Sequence, residues 1–141
     1  MIRSIEFKRF RALTSLALVA LFVLSSCNSR YFWKGIRAYE KKQYGEAITG
    51  FQQACVQWPN DTMALRMLGR TQLIVGEYAQ AARSFEELDL RSTLTQEDRQ
   101  NWASALMSAS EYRQASNVLQ PLLLESSPSV YTQKLWDQCE K

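Results

Sequence analysis

Three kinds of side chain in this 141-residue sequence could do chemistry: thiols, guanidiniums one helical turn apart, and paired carboxylates. The thiols are Cys27, Cys55 and Cys139. A thiolate is a nucleophile and a metal ligand, but histidine, the commonest general base and metal ligand, does not occur in the chain. The carboxylate pairs, such as Glu86-Glu87 and Glu97-Asp98, are adjacent and read as solvated helix surface. No glycine-rich phosphate loop, Cys/His cluster or G-x-S-x-G nucleophile turn is present. An enzyme is therefore not expected, nor a cofactor or a metal site. What remains is Arg66 and Arg70, which helical spacing puts on one face. Two guanidiniums so placed suit a carboxylate.

Composition limits the elements that could position them. The chain is 46% hydrophobic, 11% aromatic and 22% charged, which are values of a globular domain. Five glycines and three prolines are too few for a turn-rich β-sandwich. The net charge of +3 lies wholly in residues 1–26, where Arg3, Lys8, Arg9 and Arg11 face only Glu6. The remainder has 13 Lys+Arg against 13 Asp+Glu, so it has no net positive field and nucleic acid is not an expected partner.

Residues 1–11 are cationic, residues 12–24 are apolar, and Ser25 and Ser26 follow, the order of a secretory signal peptide. The apolar run is well short of the ~20 residues that span a bilayer as a helix. The tetrapeptide Leu24-Ser25-Ser26-Cys27 resembles the bacterial lipobox. The resemblance implies a thioether-linked diacylglycerol on Cys27, cleavage before it and N-acylation of the new terminus. Single chains anchor marginally, at ~0.8 kcal/mol per buried methylene, and stable attachment takes about two signals; three acyl chains would attach the protein permanently. Asn28, rather than Asp, follows the cysteine, which under the sorting rule of enteric bacteria points to the outer membrane, facing the periplasm. The expected organisation is a cleaved leader over 1–26, a lipidated Cys27 with a short tether over 27–30, repeats over 31–127 and a capping helix with tail over 128–141.

The repeats are visible as columns that recur at one constant interval: Gly35, Gly69 and Ala103; Tyr44, Tyr78 and Tyr112; Ala47, Ala81 and Ala115; Phe51, Phe85 and Leu119. The same interval joins Leu68, Trp102 and Trp136. A 34-residue period with these columns resembles the tetratricopeptide repeat, a helix–turn–helix unit. The matching residues are Gly35, Ala47, Phe51, Ala54 and Pro59 in the first repeat, Leu65, Leu68, Gly69, Ala81 and Phe85 in the second, and Ala103, Ala115 and Leu119 in the third. Lys34 stands where the pattern has Leu, and the second repeat lacks the closing Pro.

The resemblance implies an all-α solenoid of three helical hairpins plus a C-terminal capping helix. Helices are expected over 29–42, 44–57, 61–75, 77–90, 96–109, 111–125 and 128–139. Asn60 or Asp61 would cap the third, Thr95 and Asp98 form a capping box on the fifth, and Ser127 with Pro128 would start the last. The small column permits close approach of paired helices, the Tyr column would wedge under each first helix, and the Phe column would fill the space between repeats. Cys55 and Cys139 lie nearly a whole superhelix apart, too far for a disulfide, which needs Cα atoms within about 7 Å.

In this family the first helices line a concave groove. Its groove positions fall here on Phe32, Ile36, Tyr39 and Glu40, on Met63, Arg66, Arg70, Leu73 and Ile74, and on Glu97, Gln100, Ser104, Met107 and Ser108. The groove is therefore expected to take an apolar or helical protein segment, with Arg66 and Arg70 pairing with a carboxylate. Chaperone-binding members clamp a C-terminal carboxylate with Lys and Asn where this chain has Phe32 and Ile36, so that activity is not implied. Arg30, Lys34, Arg37 and Lys41 share one face of the first helix, which only Asn28 and Ser29 separate from Cys27, and could rest on anionic headgroups. The expected function is a membrane-anchored adaptor in an envelope assembly or secretion machine. The alternatives are a self-associating structural lipoprotein and a non-catalytic accessory that recruits a cell-wall enzyme.

Overall fold

The computed structural model describes residues 30–124 and 128–140. The expected leader, Cys27, the tether as far as Ser29 and the expected Ser127 cap lie outside the described residues. Among the described residues seven helices follow one another: α1 (Arg30–Glu40), α2 (Tyr44–Gln57), α3 (Thr62–Val75), α4 (Tyr78–Asp89), α5 (Gln96–Ser108), α6 (Tyr112–Leu123) and α7 (Val130–Cys139). Each packs on the next, giving hairpins α1/α2, α3/α4 and α5/α6 closed by α7. Helix α3 also touches α5, and α5 touches α7, so these helices line one side of the array. No described helix is long and apolar enough to cross a membrane.

The period is written into the backbone. Lys42, Gly76 and Ser110, spaced by the repeat interval, all have left-handed φ, at 59°, 83° and 65°. After each, the next N–H bonds back five residues: Gln43 to the Ala38 carbonyl, Glu77 to Gln72 and Glu111 to Leu106, at 2.9, 2.9 and 2.8 Å. The turn residue's own N–H reaches back three, to Tyr39, Leu73 and Met107. This is the Schellman ending, repeated three times. Only one of the three turns has glycine, the residue that adopts left-handed φ without steric cost. Ser110→Gly is therefore expected to raise stability by about 1 kcal/mol, read as a higher denaturation midpoint with unchanged slope.

The start signals hold with one displacement. Asp61 accepts from the Met63 and Ala64 N–H groups, and Thr95 and Asp98 form a full capping box. The last helix is capped by Ser129, not Ser127, and begins at Val130. Ser129 takes that place because its hydroxyl accepts the Thr132 N–H while also meeting α5.

The role of the Tyr column needs correction, and that of the Phe column goes further than expected. Tyr44, Tyr78 and Tyr112 open α2, α4 and α6; Tyr44 is half-buried and meets Tyr39 of α1, but Tyr78 and Tyr112, 39% and 47% exposed, do not wedge beneath their first helices. Tyr78 instead lies against its turn, where a Cβ on Gly76 would sit 3.8 Å from the ring. Phe51 and Phe85 fill the gap between repeats, Phe51 in one cluster with Leu68 and Phe85 in one with Leu94 and Trp102, and they do more. Each presses on the glycine of its own hairpin: a Cβ at Gly35 would come within 2.7 Å of Phe51, and one at Gly69 within 3.0 Å of Phe85. The third hairpin has Ala103 in the small column and the smaller Leu119 in the large one, both fully buried.

Candidate functional site

The concave side carries a cleft of about 620 Å³ between α3, α5 and α7. Met63, Arg66 and Arg70 come from α3, Gln96, Glu97 and Gln100 from α5, with Ser129 and Tyr131 at the start of α7. Met63 and Tyr131 are the exposed apolar members, at 50% and 52%. Helical spacing of 3.6 residues per turn puts Met63, Arg66 and Arg70 on the same stripe, so one helix supplies both an apolar contact and two cations.

The cations are engaged inside the chain. Arg66 Nε–H is shared between the two Asp98 oxygens, at 2.9 and 3.0 Å. Asp98 is fully buried, and its Oδ2 also accepts the Thr95 N–H as part of the capping box. Burial alone would push its carboxyl up, but the Arg66 and Thr95 donors outweigh this and hold it below the ordinary carboxylate value. Arg70 Nη2 bonds Glu97 Oε2 at 2.8 Å and stands 3.8 Å from Asp98. Glu97 is 66% exposed, and Arg70 Nε is buried with no hydrogen-bond partner among the described residues. The expectation of two guanidiniums awaiting an outside carboxylate is thus corrected. Arg66 is committed to a buried acid, whereas the acid that Arg70 holds is exposed.

The same geometry recurs one junction further on. Gln100 Nε2 donates to Ser129 Oγ and to Thr132 Oγ1, at 3.1 and 2.9 Å, and Ser104 Oγ lies 3.3 Å from the Tyr131 hydroxyl. Arg66 to Asp98 and Gln100 to Thr132 are both steps of 32 residues. A residue on one first helix thus reaches the buried position of the next. The corresponding pair at the first junction is Phe32 and Ala64, and Ala64, Asp98 and Thr132 are all fully buried.

Other residues expected in the groove lie elsewhere. Phe32, Ile36 and Tyr39 pack on the cluster of Ala38, Ala47, Ile48, Phe51 and Leu68. Phe32 meets Phe51 with ring centroids 5.9 Å apart, and Tyr39 meets Tyr44 edge-on at 5.8 Å. Leu73 and Met107 pack on the cluster that includes Ala81, Leu106 and Leu119. Ile74 is 49% exposed on α3 but does not line the cleft. The cleft adds Tyr131, which the periodicity could have found: it follows Met63 and Glu97 as the third member of their column.

Cys55 is half-buried between two core clusters. Burial, then the nearby Asp61 and Glu87 charges, push its thiol up to about 11, and burial raises Cys139 too. Both are free and hold their protons at neutral pH. Among the described residues no group of three His, Cys, Asp or Glu is placed to hold a metal ion.

No protein-family model and no curated protein matches this sequence. Solved structures match it in fold. The TPR domain of Arabidopsis OM64 superposes with a TM-score of 0.70 at 16% identity, over 81% of this chain and 94% of that one. The TPR2B domain of yeast Sti1, in complex with pHsp70, superposes with a TM-score of 0.68 at 12% identity, over 80% of this chain and 95% of that one. The fold is the tetratricopeptide-repeat solenoid of three hairpins with a seventh, terminal helix.

Proposed function

We propose that this chain is a lipid-anchored adaptor of a bacterial envelope, docking a protein segment in the cleft between α3, α5 and α7. One observation carries the docking site: the acid bonded to Arg70 Nη2, Glu97, is itself 66% exposed. A carboxylate from a docking segment displaces Glu97 at little cost, because exposed ion pairs contribute about 0–1 kcal/mol. It gains a charge-assisted bond in return. Met63 and Tyr131 offer apolar contact on either side. The Sti1 domain found with pHsp70 supports a protein partner as the kind of occupant. Anchoring at Cys27, and the lean to the outer membrane from Asn28, rest on the sequence alone.

Photo-crosslinking in membranes of cells producing the full chain tests this. Probes replace Met63 and Tyr131, with a control at exposed Gln53 on α2. A discrete adduct is expected from the two cleft positions only, reduced about tenfold by Arg70→Glu. Adducts of equal yield from Gln53, or none from the cleft, reject the site.

Self-association is favoured by a separate observation. Val56, Leu90 and Leu124 form a further column at the repeat interval and are 82%, 83% and 82% exposed. The row is centred on Leu90 and can pair with itself in antiparallel register, as a two-fold interface requires. On this reading, mass in solution rises with concentration and Leu90→Glu abolishes the rise; a constant mass removes it.

A further inference from the structure

The balance of 13 cations and 13 acids after residue 26 conceals a polarity. Residues 30–42 hold five cations, Arg30, Lys34, Arg37, Lys41 and Lys42, and one acid, Glu40. Residues 43–141 hold eight cations and twelve acids, a net charge of −4. All five cations of the first segment are exposed, and none forms an ion pair among the described residues. Arg30, Lys34, Arg37 and Lys41 follow one stripe of the α1 helix and its end. Trp33, 53% exposed, sits beside them, three residues from Arg30 and four from Arg37. Its ring meets Phe32 edge-on at 5.6 Å.

We infer that this face of α1 seats the solenoid on an anionic lipid surface, with the helix lying along the bilayer and the acidic hairpins held away from it. The inference rests on the membrane anchoring proposed above. Asn28 and Ser29 alone separate Cys27 from Arg30, so the chain spans at most about 10 Å between a lipid-bearing cysteine and the start of α1. Helix α1 is itself about 16 Å long. Upright, it would lift Lys41 beyond the Debye length of about 8–10 Å at physiological salt; lying flat, it keeps all four cations within that range. Each cation near an anionic surface strengthens attachment roughly fivefold. An exposed Trp among cations is the residue type that settles at a lipid headgroup layer.

The test uses the full chain reconstituted from detergent into vesicles with brominated acyl chains, made of phosphatidylcholine alone or with phosphatidylglycerol added. Flotation comes first. A chain that does not float overturns the anchoring and the seating together. For a chain that floats, the difference from Trp33→Phe isolates the Trp33 emission. Bromolipid is expected to quench it at least about twofold more on anionic than on neutral vesicles, and the excess is expected to vanish in about 0.5 M salt. The variant Lys34→Gln/Arg37→Gln/Lys41→Gln, with its fold checked by circular dichroism, should lose the same excess. Equal quenching on the two lipids overturns charge-driven seating. Absence of quenching on both overturns lipid contact altogether, as it would if the face served an acidic protein. Neither of those two results touches the anchoring or the cleft. The lipid and salt comparisons need no variant.

Discussion

Asp98→Ala is expected to remove about 4 kcal/mol of stability, the largest loss from any single polar substitution among the described residues. The carboxylate is fully buried and serves two structures at once. It is the counter-ion of Arg66 across the α3–α5 junction, and it accepts the Thr95 N–H at the start of α5. Deleting it leaves a largely buried guanidinium without its acid, a change that typically costs about 3–5 kcal/mol. Asp98→Asn should lose roughly half as much, because the amide oxygen still accepts from Thr95 while the charge is gone. The double change Arg66→Met/Asp98→Leu should sit closer to the parent than either deletion, since an apolar pair of similar volume leaves nothing unpaired. Denaturant titrations with circular dichroism would read all three. The acid limb follows from the direction of the Asp98 shift. Its folded carboxyl titrates below the unfolded value of about 3.9. The pair's contribution is therefore complete above about pH 4 and fades as pH falls through the lower, folded value. Asp98→Asn should flatten that part of the stability profile; an unchanged acid limb would show that other carboxylates govern it.

Gly50→Ala carries the second large effect. A Cβ there would lie 2.8 Å from both the Cα and the N of Gly35, and 3.2 Å from the Tyr31 carbonyl. These are backbone atoms of α1, so no side chain can rotate away and the hairpin must open. Overpacking of this kind costs about 1–3 kcal/mol, occasionally more, and alanine returns about 1 kcal/mol in helix propensity. A net loss of up to about 2 kcal/mol is expected. Gly45→Ala, on the same helix, has nothing within 4 Å of the new Cβ and should instead stabilise by up to about 1 kcal/mol. Opposite signs in two denaturation curves would confirm the close approach; equal signs would reject it. Gly35→Ala drives into the Phe51 ring, and Phe51→Leu should relieve it, as the Ala103 and Leu119 pairing already does in the third hairpin.

The fold is legible in the sequence because it repeats. Gly35, Gly69 and Ala103 with Phe51, Phe85 and Leu119 state the same packing problem three times, and helix–turn–helix is what solves it at that spacing. The left-handed turns are not legible, because Lys42 and Ser110 occupy two of them and only Gly76 announces itself. The cleft is half legible. Met63, Arg66 and Arg70 share a stripe that helical arithmetic supplies. The partner of Arg66 lies 32 residues away, and which acid reaches it depends on how far α5 is shifted along α3. Phe32, Ile36 and Tyr39 show the same limit. Their positions are those of a groove, but at the first hairpin they pack against Phe51 and its neighbours.

The long-range pairs Arg66–Asp98 and Gln100–Thr132 make the order of the hairpins irreversible. A tandem copy of residues 62–95 inserted after itself would set a buried arginine against the alanine equivalent to Ala64. Loss of that segment would bring Phe32 onto buried Asp98, and a second copy of residues 96–129 would put Gln100 against an acid with no cation. Each event leaves a charge or a donor stranded where water does not reach. Repeat arrays commonly lengthen and shorten by recombination between similar units, but this one has spelled each junction differently. Its length is thereby protected from the genetic process that its periodicity would otherwise invite.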